Sequence, residues 1–461
     1  MSLMVSISGI RGVVGSTLTP DVIIRYVAGF GSYCRARSSG TVTVVVGRDG
    51  RITGAAITDM ITSALTMSGI TVMDIGICPT PTVQLAVEHE HAAGGIAVTA
   101  SHNPMQWNGM KFMASTGLFL DGAENAEFWK HAAQQQPYAA WDAIGTLTRR
   151  GDWIARHIAL VLDLPLVKPD VIRKRRFRVV VDCVNAAGGA IVPALLRELG
   201  CDVIEMACDV SGVFSHTPEP IPENLTGLAA RVRSEHADLG IAVDPDVDRL
   251  VLINEKGEPY GEEYTIATVV DHVLRSQEGK GQTVVANLST TRAVDDIARR
   301  HGATPVRTPV GEINVASAMK RLGAVVGGEG SGGVILPALH YGRDAIVGIG
   351  IILQTLAERG GTLSQLKASL PQYSIAKGKM ELAGIAPEEV LETMRKRHAS
   401  EGIVNTDDGV KIDFPDAWVH FRKSNTEPIV RIIGESTTME GAAALVKRFQ
   451  DEIRTLMPAH G

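Results

Sequence analysis

Short apolar runs that end at a polar residue, each followed by a longer amphipathic segment, recur over the first three-quarters of the 461-residue chain. Four of these runs have the length and β-branched content of buried strands, namely 41–46, 178–181, 238–243 and 284–286. Two of the segments between them, 191–199 and 264–274, have helical spacing. Strand, polar turn and helix in succession predict α/β units with parallel or mixed sheets.

The pattern changes over roughly the last 80 residues of the chain. There, 418–421 has the character of a strand and 442–456 that of a closing amphipathic helix, which indicates a smaller α+β domain. Since domains average roughly 150 residues, a chain of 461 residues has room for three or four. We predict four domains, with bounds at 1–150, 151–256, 257–370 and 371–461.

The charge balance of the chain argues against several classes of partner. The net charge is −6 at neutral pH, so no overall basic field exists to hold nucleic acid or an anionic membrane. No apolar run reaches the ~18 residues that would suggest a membrane span. We therefore expect neither nucleic acid nor membrane as a partner, and any anionic substrate must be held by local clusters.

The cysteines and the N-terminus both favour a cytoplasmic location. The chain has five cysteines, an odd number, and their spacings fit neither a zinc site nor a disulfide framework. Reduced thiols are the usual state of such residues in the cytoplasm. The N-terminus also lacks the basic and apolar regions of a signal peptide.

A serine-containing loop follows the predicted strand at 95–98. Its residues, 99–104, read Thr-Ala-Ser-His-Asn-Pro and place Ser101 at a strand end, where sites form in α/β proteins. Serine is a weak nucleophile unless a neighbour activates it or a metal ion holds its product. An ordinary Ser/Asn turn accounts for the same residues about equally well.

Three aspartates at alternate positions follow a second apolar strand. Asp244, Asp246 and Asp248 would repel one another unless a cation neutralised them. Their oxygens are ligands that Mg²⁺ prefers, and the adjacent Arg249 can donate to a phosphoryl oxygen. The alternative is an exposed acidic turn.

A glycine-rich loop lies in the second half of the third predicted domain. Gly328, Gly330 and Gly333 match the Gly-x-Gly-x-x-Gly pattern of dinucleotide-binding proteins, but no helix clearly starts there and no acidic residue follows about 20 positions later. A loop that turns Glu329 and Ser331 toward sugar hydroxyls fits better. A plain glycine-rich turn is the other interpretation.

A fourth loop, in the last predicted domain, combines cationic side chains with small polar ones. It contains Arg422, Ser424, Asn425 and Thr426, with Arg431 a few residues beyond. Backbone amides, hydroxyls and a guanidinium together suit a phosphate group. The alternative is a solvated turn that happens to carry arginines.

Taken in order, these four loops resemble those of the α-D-phosphohexomutase superfamily, and the resemblance extends over essentially the whole chain. The loops at 99–104, 244–249, 328–333 and 422–431 resemble the family's phosphoserine, metal-binding, sugar-binding and phosphate-binding loops, respectively. The resemblance implies four domains around a central cleft. The first three would share an α/β fold and the fourth would be mobile.

The resemblance also implies roles for individual residues. Ser101 would be phosphorylated, and one of its phosphoryl oxygens would hold Mg²⁺ together with Asp244, Asp246 and Asp248. Sugar hydroxyls would contact Glu329 and Ser331. The phosphate that is not transferred would be bound by Arg422, Ser424, Asn425, Thr426 and Arg431.

The implied reaction passes a phosphoryl group from phosphorylated Ser101 to a hexose monophosphate and back, by way of a sugar 1,6-bisphosphate. Arg249 would stabilise the transferring group. Arg11 and Lys111 match family positions near that group. We expect Lys111 to manage the hydroxyl proton, since arginine rarely deprotonates, and His102 to orient Ser101.

Substrate identity is the part that the resemblance leaves open. Many members carry histidine where this chain has Gly333, so one sugar contact is missing or is supplied elsewhere. The context of Ser101 looks closer to phosphoglucosamine mutases, which act on glucosamine phosphate, than to phosphomannomutase/phosphoglucomutases. Asn425 and the sugar loop, in contrast, do not match the usual bacterial glucosamine pattern. The alternatives are a phosphomannomutase/phosphoglucomutase, a magnesium-dependent sugar phosphatase and a non-catalytic sugar-phosphate-binding protein, in each case as a monomer or homodimer.

Overall fold

The structure is a computed structural model that describes residues 3–277, 279–382, 384–423 and 429–457. The chain divides into two compact units. The first comprises Met1–Thr265 and Gly332–Lys367, and the second comprises Ile266–Ser331 and Ala368–Gly461.

The N-terminal part of the first unit is built on a seven-stranded mixed sheet in the order β1-β2-β6-β5-β3-β4-β7. Its strands are β1 (Met4–Ser6), β2 (Gly9–Val13), β3 (Thr43–Arg48), β4 (Thr71–Ile77), β5 (Gly94–Val98), β6 (Trp107–Ala114) and β7 (Leu147–Arg149). Its helices are α1 (Pro20–Ala36), α2 (Gly54–Met67), α3 (Thr80–His89) and α4 (Gly122–Ala132). Strand β3 runs parallel to β4 and β5, and β6 runs antiparallel to both β5 and β2.

The next part of the first unit has a four-stranded sheet in the order β11-β10-β8-β9. Its strands are β8 (Arg178–Asp182), β9 (Asp202–Met206), β10 (Leu239–Val243) and β11 (Leu250–Asn254). Its helices are α5 (Trp153–Leu162), α6 (Pro169–Arg173), α7 (Gly188–Glu198) and α8 (Thr226–Ser234), and Pro222–Asn224 forms one 3₁₀ turn. Strands β10 and β11 are wholly buried. They pair antiparallel up to Val243 and Leu250, so the six residues between them form a tight loop at the end of the pair.

The following part of the chain contains strands that run parallel to one another. Strand β12 (Thr283–Asn287) lies between β13 (Thr304–Thr308) and β14 (Val326–Glu329) and is parallel to both. The helices that surround them along the chain are α9 (Glu262–Ser276), α10 (Ala293–Arg300) and α11 (Glu312–Leu322). After them come β15 (Gly333–Ile335), α12 (Ala345–Arg359) and α13 (Leu363–Ala368). Strand β15 and helix α12 belong to the first unit.

The C-terminal part of the second unit is a five-stranded antiparallel sheet in the order β16-β20-β19-β18-β17. Its strands are β16 (Ser374–Glu381), β17 (Ile403–Asn405), β18 (Val410–Asp413), β19 (Ala417–Lys423) and β20 (Ile429–Ser436). Helices α14 (Pro387–Arg397) and α15 (Met439–Arg454) complete it, and a core that includes Phe421 and Phe449 joins sheet and helices. The predicted fold class, three mixed or parallel α/β parts and a smaller α+β part, is confirmed.

Two further expectations can be compared with the structure directly. All five cysteines are free thiols, and Cys34, Cys78 and Cys183 are buried. Among the helices of the described residues, none combines the length and apolar character that crossing a bilayer requires.

Candidate active site

The backbone of the serine loop is hydrogen-bonded to Arg51, whose side chain is fully buried. Its guanidinium donates to the backbone carbonyls of Ser101, Asn103, Pro104 and Trp107 at 2.5–2.9 Å. The carboxylate of Asp49 accepts from Arg51 Nε at 3.0 Å, so the buried charge is neutralised. One cation thereby binds four backbone carbonyls in and just after the loop, which fixes the backbone around the serine.

Ser101 itself has a left-handed backbone, with φ of 49°, and its side chain is almost wholly buried. Its amide donates to Thr99 Oγ1 at 2.9 Å, and Thr99 Oγ1 in turn donates to Asp49 Oδ2 at 2.7 Å. A non-glycine residue adopts this backbone only where its surroundings enforce it, as these contacts do.

Replacing Arg51 with methionine is expected to destabilise the first unit by about 3–5 kcal/mol. The change would leave the Asp49 carboxylate without its cation and several carbonyls without a donor inside the protein. Chemical denaturation would measure the loss. Arg25→Met, at an exposed position on α1, should shift the unfolding midpoint little, and an Arg51→Met protein as stable as the wild type would contradict the bracing role.

The acidic loop brings three buried carboxylates together at the end of the β10–β11 pair. Val243 pairs with Leu250 in register, so the chain must reverse within six residues. Oxygens of Asp244, Asp246 and Asp248 all lie within 4.8 Å of one another. The backbone amides of residues 248 and 249 both donate to Asp244 Oδ1 at 3.2 Å, which holds that carboxylate inside the turn.

The serine and acidic loops meet, although they are 143 residues apart in the chain. Ser101 Oγ donates to Asp244 Oδ2 at 3.0 Å, and His102 Nδ1 lies 3.2 Å from the same hydroxyl. The pKa of His102 is lowered to about 3, first by burial and then by Arg249 and Arg11. The imidazole is therefore neutral near neutral pH and can orient the serine hydroxyl.

Four cationic side chains surround the carboxylates. Lys111 Nζ lies 2.6 Å from Asp246 Oδ2 and 3.1 Å from Asp248 Oδ2. Burial alone would lower the pKa of Lys111, but Asp246 and Asp248 together raise it, which keeps the ammonium charged. Arg249 Nε is 3.8 Å from Asp248 Oδ1. The two other cations are Arg343 and Arg11, whose Nη1 donates to Asn103 Oδ1 at 3.4 Å.

The carboxylate oxygens are used unequally, and this asymmetry fits a metal site. Asp246 Oδ2 accepts from Thr80 and Lys111, and Asp248 Oδ2 accepts from Lys111 and Arg343. Asp246 Oδ1 and Asp248 Oδ1 are buried and have no hydrogen-bond partner in the part of the chain that the structure describes. Buried oxygens that accept no hydrogen bond, in a cluster of three carboxylates, are compatible with a divalent cation.

In the second unit, Glu329 ends β14 with its carboxylate buried. Its Oε1 accepts from Asn287 Nδ2 at 2.8 Å and from the amide of Gly311 at 3.0 Å. These donors, which come from the ends of neighbouring segments, fix the direction of the side chain. Ser331 follows two residues later and is half-buried.

The predicted phosphate-binding loop is described only at its two ends. Arg422 on β19 and Arg431 on β20 stand directly opposite each other, and Arg431 is exposed. Asp408 Oδ2 lies 2.9 Å from Arg422 Nε. Like charges directly opposite across a sheet repel one another, so this pair suits an anion. Ser424, Asn425 and Thr426 lie outside the described residues.

A network of polar contacts within the second unit connects the residues after β12 to the antiparallel sheet. The amide of Arg292 donates to Glu435, whose Oε1 also accepts from Trp418 Nε1 at 2.6 Å. Ser289 Oγ lies 2.9 Å from His420 Nδ1. Burial raises the pKa of Glu435 in spite of these donors. The mobility that the resemblance implies for the last domain stays a prediction.

Several contributors to this site, among them Arg51, Thr80 and Arg343, were not found from the sequence. Arg51 lies in no catalytic motif, and Arg343 is a single arginine in a loop. The local signal was for its neighbour only: Asp344 caps the apolar helix α12, and helix N-caps can be recognised from sequence.

Models of four domain families match the chain in sequence order. They are described as phosphoglucomutase/phosphomannomutase alpha/beta/alpha domains I, II and III and the C-terminal domain, and they match residues 4–139, 155–257, 261–373 and 380–453. The chain belongs to the phosphoglucomutase/phosphomannomutase family. As a phosphohexomutase, the enzyme is an isomerase that transfers a phosphoryl group.

Individual relatives of this phosphohexomutase cover nearly its whole length. A phosphoglucomutase/phosphomannomutase of Thermococcus kodakarensis is 38% identical over 94% of each chain. A probable phosphoglucosamine mutase of Methanopyrus kandleri is 36% identical over 97% of each chain. A crystal structure of a phosphoglucomutase/phosphomannomutase family protein from Burkholderia thailandensis is 27% identical, with a TM-score of 0.84 over 98% of this chain and 97% of that one.

Proposed function

We propose that this phosphohexomutase interconverts glucosamine 6-phosphate and glucosamine 1-phosphate, using Mg²⁺, a phosphorylated Ser101 and a glucosamine 1,6-bisphosphate intermediate. The observation that carries the chemistry is the 3.0 Å hydrogen bond from Ser101 Oγ to Asp244 within a buried cluster of three carboxylates. The sugar is supported by the context of Ser101 and by relatives named probable phosphoglucosamine mutase.

The protein's own groups would divide the work as follows. Arg51 and Thr99 hold the serine loop so that Oγ stays against the acidic cluster. His102, which is neutral, would orient Oγ. Lys111 is held in its charged form by its two carboxylate partners. It therefore fits the role of a group that stabilises or protonates an oxygen better than the role of a general base, since a base must start neutral.

Asp244, Asp246 and Asp248, with an oxygen of phosphorylated Ser101, would hold Mg²⁺, which when bound neutralises charge on the transferring phosphoryl group. Arg249 would donate to oxygens of the same group. In the first transfer, the bond between Ser101 Oγ and phosphorus breaks, a sugar oxygen bonds to phosphorus, and the sugar hydroxyl proton is lost as Oγ gains one. The second transfer reverses this at the other end of the sugar.

The remaining roles concern the sugar and its other phosphate. Glu329, fixed by Asn287 and Gly311, is proposed to accept hydrogen bonds from sugar hydroxyls, with Ser331 beside it in the chain. Arg422 and Arg431, opposite each other on β19 and β20, are proposed to bind the phosphate that is not transferred. Ser424, Asn425 and Thr426, which lie between them and outside the described residues, would contribute further donors.

A substrate panel tests the proposed sugar. The purified enzyme would receive the 6-phosphates of glucosamine, glucose and mannose in turn, with Mg²⁺ and a catalytic amount of hexose 1,6-bisphosphate. We expect kcat/KM to be at least about tenfold higher for glucosamine 6-phosphate, a difference of about 1.4 kcal/mol. Phosphorus NMR would identify the 1-phosphate product.

Two other outcomes would change the assignment. A preference for glucose or mannose phosphate would favour the second candidate, a phosphomannomutase/phosphoglucomutase of the same mechanism, for which the 38% identical relative from Thermococcus kodakarensis is the supporting observation. Accumulation of free phosphate without any isomeric sugar phosphate would indicate a phosphatase instead.

A further inference from the structure

The side chain of Arg343 passes directly over the α-carbon of Gly333. A Cβ atom at position 333 would lie 2.4 Å from Arg343 Cδ and 3.1 Å from its Cγ. The first distance is far below van der Waals contact, so any other residue at 333 would occupy the path of the arginine. The backbone of Gly333 is not left-handed, and the passage of Arg343 is therefore a physical reason for glycine at this position.

The far end of the same side chain reaches the acidic cluster. Arg343 Nη2 donates to Asp248 Oδ2 at 2.6 Å, and Lys111 Nζ lies 3.1 Å from that same oxygen. Two cations thus hold one oxygen of Asp248, while its buried Oδ1 accepts no hydrogen bond from the described residues. Partners that hold the outer oxygen of a ligand carboxylate orient its inner oxygen toward the metal.

The backbone next to Arg343 is fixed by a buried carboxylate. Asp344 Oδ1 accepts from the amide of Ile346 at 2.8 Å and caps helix α12. Its Oδ2 lies 2.8 Å from His157 Nε2 and 3.1 Å from His340 Nε2, and all three side chains are buried. The backbone of Arg343 is therefore held next to the capping residue Asp344. Its side chain crosses Gly333, where no Cβ is present, and its guanidinium ends on the carboxylate of Asp248.

We propose that Arg343 is a positioning residue of the metal site: it orients Asp248 toward the cation, and glycine is required at 333 to let it do so. The inference rests on the proposed metal site. It is independent of which sugar the enzyme uses, because it concerns only the affinity of the acidic cluster for a divalent cation, compared between proteins in the same phosphorylation state of Ser101.

Binding of Mn²⁺ to the purified full-length enzyme, measured by electron paramagnetic resonance, tests this proposal. Arg343→Ala should weaken binding by about 10–100-fold, the usual effect of removing a partner of a metal ligand. Gly333→Ala, which keeps the arginine but blocks its path, should weaken binding by a similar factor. Gly151→Ala is the matched control, because a Cβ at Gly151 meets open space and its backbone is not left-handed.

The double variant tests whether the two single substitutions weaken Mn²⁺ binding through one shared interaction or independently of each other. If Gly333 acts only through Arg343, the Arg343→Ala/Gly333→Ala protein should bind Mn²⁺ within about threefold of either single variant, since residues that share one interaction are not additive. The Gly333→Ala protein adds one methyl group, so it also serves as a test should Arg343→Ala fold poorly.

Two results would overturn the proposal in distinguishable ways. If Asp248→Asn abolishes Mn²⁺ binding while Arg343→Ala binds within about twofold of the wild type, Arg343 does not position the site and the metal site itself stands. If Mn²⁺ binding is unchanged by Asp248→Asn, the acidic cluster is not the metal site, and both the inference and that part of the proposed function fail.

Discussion

Replacing Ser101 with alanine is expected to reduce turnover of hexose phosphates by about 10⁴-fold or more and to leave the protein folded. The change removes the oxygen that would carry the phosphoryl group. The neighbouring hydroxyl, Thr99 Oγ1, cannot substitute, because it donates to Asp49 and accepts from the amide of residue 101. The fold should persist, since Arg51 binds the backbone carbonyl at this position and not the side chain.

Three measurements would check this expectation together. Product formation would be followed with the bisphosphate present, phosphoryl content by intact mass, and stability by thermal denaturation. Ser115→Ala, at an exposed turn position, should keep wild-type values in all three. If the Ser101→Ala enzyme retained more than a tenth of wild-type turnover, or still took up a phosphoryl group, the phosphoserine mechanism would have to be abandoned.

The features that the sequence predicted are those that depend on short stretches of chain. Buried strands that end in polar residues are visible locally, and so is the alternation of Asp244, Asp246 and Asp248. The six-residue turn between β10 and β11 brings these three carboxylates together. No local pattern predicts strand β14, which spans Val326–Glu329. Its two glycines have low strand propensity, so the residues of this segment do not indicate a strand by themselves.

Contacts between distant parts of the chain could not be predicted from spacing. Ser101 and Asp244 are 143 residues apart, and Arg343 and Asp248 are 95 apart. The resemblance supplied the first juxtaposition, because both residues lie in recognisable motifs. It supplied nothing for Arg343. The path of this side chain depends on the lack of a Cβ at Gly333. Its backbone depends on Asp344, which contacts the buried residues His157 and His340.

Replacing Asp246 with asparagine is expected to abolish stabilisation of the protein by Mg²⁺ and to lower turnover by about 10³-fold or more, since a metal ion contributes several kcal/mol to such reactions. Asparagine has nearly the same shape and can still accept from Thr80 and Lys111 through one oxygen. It replaces the second, buried oxygen with an NH₂ group. That group donates hydrogen bonds and cannot ligate a cation.

Thermal denaturation with and without Mg²⁺ measures the effect on binding apart from catalysis. At an ion concentration of 100 times Kd, the wild type should gain about 2.7 kcal/mol of stability, and Asp246→Asn should gain none. Asp59→Asn, at an exposed position on α2, should respond like the wild type. A full response to Mg²⁺ in Asp246→Asn would place the ion elsewhere.

The responses of the two variants should also differ from each other. Ser101→Ala keeps all three carboxylates, so it should retain a Mg²⁺-dependent rise in stability while losing turnover. That rise should be smaller than in the phosphorylated wild type, because an oxygen of the phosphoserine would be lost as a ligand. Asp246→Asn should lose both the rise and the turnover. This pattern would separate the group that carries the phosphoryl from the groups that hold the ion, although Ser101 and Asp244 share one hydrogen bond.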